Sequence, residues 1–225
     1  MKNIFVVILI FFITLPIYSQ LRLDYYYDQS DMYTKFSDWI PKKLHQWHPK
    51  NVEDYFLLYS LKQLYDEDNL RRNIFFLKIA LEKRFRHPSQ ALCKIENEQQ
   101  YHKYRLLFFM HINLKIMRSY LRIGSLYDKR HLYFYNLDFA DELKESFQIA
   151  EGFYKEAIPY WQKAREYARE ANKYKFELDL GTLESIRFDI INGDIDFGKY
   201  TANHLQRLKE KQTAVDNFLA KMKSE

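Results

Sequence analysis

Cysteine is nearly absent from this chain, glycine and proline are scarce, and each shortage excludes something. One cysteine, Cys93, occurs in 225 residues. A single cysteine cannot close an internal disulfide, so stability must come from packing, and Cys93 is expected to be a small buried side chain, not a reactive thiol. Five glycines and five prolines compare with roughly fifteen and eleven expected from average usage. With so few turn residues the chain must run in long helices. Five glycines also leave no phosphate loop, no dinucleotide fingerprint and no GxSxG nucleophile turn. No basic block is present, and both charge signs are interspersed around a net charge of +5. That balance argues against a nucleic-acid partner.

Long apolar runs are missing too, except one. Met1-Lys2-Asn3 leads into an apolar stretch from Ile4 to Leu15, Pro16 breaks it, and Ile17-Tyr18-Ser19 precedes Gln20. A charged start, a short apolar core and a small residue describe a secretory signal peptide over residues 1–19, cleaved between Ser19 and Gln20. The stretch is shorter than the ~20 residues a bilayer span needs. An uncleaved N-terminal anchor is the alternative. No cysteine adjoins the junction, which speaks against a lipoprotein anchor. Cleavage removes Lys2 and leaves a charge of +4. No later segment is long and apolar enough to span a membrane.

What is abundant is aromatic: nineteen tyrosines and eighteen phenylalanines. Tyrosine has an apolar face and a polar tip, which suits half-buried and interface positions. AT-rich codon usage would also enrich Tyr and Phe, and both accounts remain open. Tyr25, Tyr26, Tyr27, Tyr133 and Tyr135 lie in segments of poor periodicity beside polar neighbours, and are the expected partner-binding residues.

Residues 20–30 are expected to form an irregular Tyr-rich arm and residues 31–225 a single helical domain. A first helix is predicted over 31–40. Asn51 is a good N-cap, with Glu53 and Asp54 in the following turn. Further helices are predicted over 70–86 and 96–123, the second apolar nearly all round and capped by Gly124. Residues 132–139 are predicted as a packed loop or helix start. His45 and His48 share a spacing compatible with one helix face, but lack the further ligands a metal requires. No metal site and no cofactor are expected.

The last third carries the most information. Apolar positions fall at 140, 143, 147, 150, 154, 157, 161, 164, 168 and 171, alternating steps of three and four. Small residues on this face allow close helix approach, with Phe147, Tyr154, Ala157, Trp161 and Ala164 as the packing residues. Pro159 costs ~3 kcal/mol deep in a helix but little near its start. A turn at Gly152, with a new helix from Tyr154, is therefore expected. Leu183 to Asn192 reads as a helix ended by Gly193, and Asp194 or Asp196 as the cap of the next. The last helix bears a narrow stripe at Leu205, Leu208, Gln212, Val215, Leu219 and Met222, suited to capping the array or to a coiled-coil partner.

The tract Gly152-Phe153-Tyr154-Lys155-Glu156-Ala157-Ile158-Pro159-Tyr160-Trp161-Gln162-Lys163-Ala164 resembles the turn and second helix of a tetratricopeptide repeat. The resemblance covers one half-repeat and no 34-residue period recurs. It implies an all-α fold: an elongated array of antiparallel helices, degenerate and repeat-like in the C-terminal half. A generic helix pair is the alternative. The leader, the aromatic helices and the tract Ile190 to Phe197 before His204-Leu205 are similar in style to leptospiral periplasmic flagellar-coiling proteins. That resemblance implies a non-enzymatic periplasmic structural or adaptor protein, with flagellar filament or sheath subunits as partners. Glu184-Ser185 resembles the Glu-Ser pair of lytic transglycosylases, although the Gly-Leu-Met-Gln tract of that family is missing. A cell-wall lytic enzyme and a peripheral membrane-associated protein are the rival readings.

Overall fold

The computed structural model describes residues 49–61, 63–128 and 139–222. The expected signal peptide, the expected arm and helix over 20–40, and the histidines at 45 and 48 lie outside the described residues. The described residues are helical, with no strand among them; their one β-type contact is an isolated bridge between Asn51 and Arg84. The elements are α1 (Val52–Tyr55), which continues as a π-helical turn over Phe56–Ser60, α2 (Glu67–Ala80), α3 (Glu98–Tyr127), α4 (Ala140–Ala171), α5 (Gly181–Asn192) and α6 (Phe197–Met222).

Caps explain several starts. The Asn51 backbone N–H donates to the Asp54 carboxylate at 3.1 Å. Asp66 accepts from the Asn69 backbone at 3.0 Å, and Asn97 from that of Gln100 at 2.9 Å. Acidic residues open α1 and α2, where the helix dipole favours them.

Helix α2 stops at Ala80, short of the predicted Arg86. The reason lies in the buried Glu53, whose carboxylate must find donors. It accepts from the Arg86 backbone N–H at 3.1 and 3.2 Å and from the Tyr104 hydroxyl at 3.0 Å. The Arg86 guanidinium pairs with Asp54, and the Val52 N–H donates to the Arg84 carbonyl. Residues 84–86 are drawn out as an extended strap over α1, which a helix could not supply.

Helix α3 is the buried centre, as its all-round apolar pattern predicts. Tyr104, Phe108, Met110, Ile112 and Ile116 are fully buried. It runs past Gly124, so that residue is not a cap. Gly124 instead permits contact: a Cβ there would lie 2.6 Å from Cε1 of Tyr154.

Helix α4 is continuous through Gly152 and Pro159, which corrects the expected turn. All ten stripe positions from Ala140 to Ala171 are buried. Burial of that uninterrupted face outweighs the proline's cost, and both Pro159 and Lys155, whose carbonyl loses its donor, are exposed. Without the turn, the half-repeat geometry that the resemblance implied is not formed at Gly152.

Antiparallel packing follows from the pairs in contact. Phe109 of α3 lies 5.4 Å from Tyr167 of α4, and Tyr120 lies 5.7 Å from Tyr160. Between α4 and α6, Trp161 meets Phe197 at 5.6 Å, Tyr154 meets His204 at 4.9 Å, and Lys144 pairs with Asp216 at 2.5 Å. The α6 stripe is the seam of that contact, with Leu208 and Val215 fully inside. Gly193 ends α5 with φ 85°, a left-handed conformation that favours glycine. Asp196, one of the two predicted caps, accepts from the Lys199 N–H at 3.1 Å.

Candidate functional site

The packing residues read from sequence come together on one face of α4: Phe147, Tyr154, Ala157, Trp161 and Ala164 are all at most 3% exposed. The expected partner-binding residues Tyr25, Tyr26, Tyr27, Tyr133 and Tyr135 lie outside the described residues, as do Ser19 and Gln20. Exposed aromatics stand elsewhere. Phe139 is 58% exposed, Phe188 on α5 54% and Tyr200 on α6 50%. Periodicity alone missed them, because Phe188 and Tyr200 sit within regular helices.

Tyr154 is more than a packing residue. Its hydroxyl donates to Oδ2 of Asp128 at 3.0 Å, while Oδ1 of Asp128 accepts from Lys211 at 2.6 Å. His204 Nδ1 lies 3.6 Å from the same carboxylate. Burial, then the Asp128 charge, pushes the Tyr154 phenol far above its ordinary range, so it stays protonated and keeps the proton it donates to Asp128. Burial and the Arg207 charge lower the pKa of His204. Asp128, at the C-terminal end of α3, thus ties α4 to α6. Sequence reading missed it because nothing local marks a carboxylate whose partners lie 26 to 83 residues away.

Glu184 is buried at 5% exposure between Lys103 at 2.6 Å and Arg187 at 2.7 Å, and accepts from the Leu178 N–H at 3.0 Å. Burial alone would raise its carboxyl pKa, but these donors outweigh burial and hold it low. Lys103, itself fully buried, also donates to the Phe176 carbonyl, and Arg187 reaches Asn172 at 2.5 Å. The cluster anchors the 172–180 connection onto α3 and α5. A glycosidic general acid needs the opposite arrangement, a carboxyl raised in pKa and open to a cleft.

Cys93 is half-buried, and burial followed by the Asp179 and Glu184 charges raises its pKa, which keeps it a thiol. Among the described residues no group of three His, Cys, Asp or Glu side chains could hold a metal. A groove of about 250 Å³ separates residues 63–65 and α2 from α3. Lys115, Arg118 and Arg122 of α3 line it, over a floor containing Asn73 and Ser119. The spacing of those three cations was legible in the sequence, yet a reading aimed at the apolar face of α3 passed over it.

Fold and site together define an all-α protein with buried carboxylates paired to cations at Asp128 and Glu184. Residues 99–218 match a family described as a domain of unknown function, DUF8513, and the chain belongs to that family. The match spans just over half of the chain, from the start of α3 to near the end of α6. No curated protein and no solved structure matches the chain. No helix among the described residues is long and apolar enough to cross a membrane.

Proposed function

We propose that this is a non-catalytic structural or adaptor protein that binds other proteins through exposed aromatic positions on its helices. It acts in the periplasm after export, as its leader implies. The resemblance to flagellar-coiling proteins suggests the endoflagellar sheath as its place, with filament or sheath subunits as partners. The observation that carries the reading is the exposure of Phe188 and Tyr200 in a fold that buries Tyr104, Phe108, Phe147 and Tyr154 completely. About half of each ring stays in water, and aromatic anchors dominate protein interfaces. Against the lytic-enzyme alternative, Glu184 sits buried and paired with Lys103 and Arg187.

The test changes Phe188 and Tyr200 together to Ser, and separately Tyr133 and Tyr135 to Ser. Each double variant is compared with wild type for melting temperature and for recovery of one identified partner from periplasmic extract. Unchanged melting with partner recovery lost in either double variant is the expected outcome. Equal recovery by all three proteins would overturn the proposal, as would peptidoglycan release by the wild type.

A further inference from the structure

We propose that the groove between residues 63–65, α2 and α3 is a binding site for a phosphoryl oxyanion. This site stands apart from the protein-binding reading, and neither depends on the other.

Lys115, Arg118 and Arg122 follow at steps of three and four, which brings all three cations to one face of α3. Among the described residues no carboxylate lines the groove. Among the described residues, neither Arg118 nor Arg122 takes part in an ion pair, although most other buried or half-buried charges here are matched. The local potential is correspondingly positive. The nearby His111 is pushed down to about 4, by burial and then by the Lys115 and Arg118 charges.

Both guanidinium groups are already oriented. Arg122 stacks over the Tyr65 ring at 5.2 Å, and Arg118 over the Phe197 ring at 5.0 Å. Stacking uses the face of a guanidinium and leaves its edge N–H groups for an acceptor. Those edges suit the paired oxygens of a phosphoryl group. Beneath them Asn73 is 2% exposed and its Nδ2 has no hydrogen-bond partner, an uncommon state for a buried amide. Asn73 lines the groove, so an oxygen bound there would give that donor an acceptor. Ser119 is not such a donor, since its hydroxyl is committed to the Lys115 carbonyl at 2.9 Å. Leu64, Leu70 and Tyr65 supply an apolar side, so the phosphate can carry a small organic group. Two guanidinium groups without an ion pair among the described residues, around one small volume, favour a doubly charged phosphoryl group over the single charge of a carboxylate side chain.

The test is calorimetric titration of the full-length chain with sodium phosphate, against sodium acetate at matched ionic strength. Arg122→Gln, Arg118→Gln and the exposed control Lys209→Gln are titrated alongside, with circular dichroism to verify folding. Arg122 is exposed, so its variant is expected to fold even if Arg118→Gln does not. Saturable single-site binding of phosphate is expected, weakened about tenfold or more in Arg122→Gln, as loss of one charge-assisted contact implies, and unchanged in Lys209→Gln. Phosphatidylglycerol vesicles in phosphatidylcholine form a second arm. Vesicle binding that free phosphate displaces, and that Arg122→Gln loses, identifies a lipid headgroup as the source. Phosphate binding without vesicle binding identifies a soluble phosphate. The site is refuted if phosphate gives no more heat than acetate, if Arg122→Gln binds like wild type, or if a Glu-rich peptide binds where phosphate does not.

Discussion

His111 sits in the middle of α3, 9% exposed, with its ring edge-on to Phe56 at 5.2 Å. Burial and two neighbouring cations make the imidazolium unfavourable there, so its pKa in the folded chain falls from 6.5 to about 4. In the unfolded chain it titrates near its ordinary value. Between those two pH values the unfolded state binds the extra proton, so stability falls as pH falls. The loss begins below 6.5 and is complete once the pH passes the folded value, amounting to about 3 kcal/mol. His204 is shifted in the same direction, so wild type alone does not isolate the effect. Chemical denaturation at pH 7 and pH 4 should show a smaller acid loss for His111→Leu than for wild type. Equal losses would mean that His111 is not held neutral by its surroundings.

At the scale of the element, two glycines in long helices have opposite roles. Gly152 lies in α4 with nothing within 4 Å of an added Cβ, whereas Gly124 lies in α3 against the buried Tyr154 ring. Gly152→Ala should therefore raise the melting temperature, through a helix-propensity gain of ~1 kcal/mol. Gly124→Ala has the same local gain, but its methyl collides with a ring held at its far end by Asp128. The overpacking cost of ~1–3 kcal/mol should prevail and lower the melting temperature. Differential scanning calorimetry of the two variants gives the signs directly, and a stabilising Gly124→Ala would mean that α3 and α4 do not pack as closely as described. The same residues explain what was legible in advance. The stripe from Ala140 to Ala171 was readable because helical burial repeats locally. The role of Gly124 was not, because an end cap and a close-approach site ask for the same residue, and only the partner across the interface distinguishes them. Pro159 misled for a related reason: its local cost is visible in sequence, while the packing that offsets it is spread over ten positions. The cations of α3 were visible as spacing, but that Asn73 lies beneath them is a tertiary fact.

At the scale of the whole molecule, the feature with the widest reach is the carboxylate of Asp128. Its donors come from α4 and from the far end of the chain, at His204 and Lys211. During synthesis, α3 and α4 emerge well before Lys211 does. Until α6 is made, Asp128 lacks the donors of His204 and Lys211, and the aromatic face of α4 that α6 covers stays wet. A ribosome that stops early thus releases a chain with an uncovered seam and an incompletely neutralised acid. A chain ending at Gly193 should be cut rapidly within α4 by a low-specificity protease, while the full chain yields a resistant fragment spanning α3, α4 and α6. Equal resistance of the two would show that α6 is dispensable. A chain cut short before α6 would therefore carry its own mark for proteolysis, the α4 seam that α6 otherwise covers.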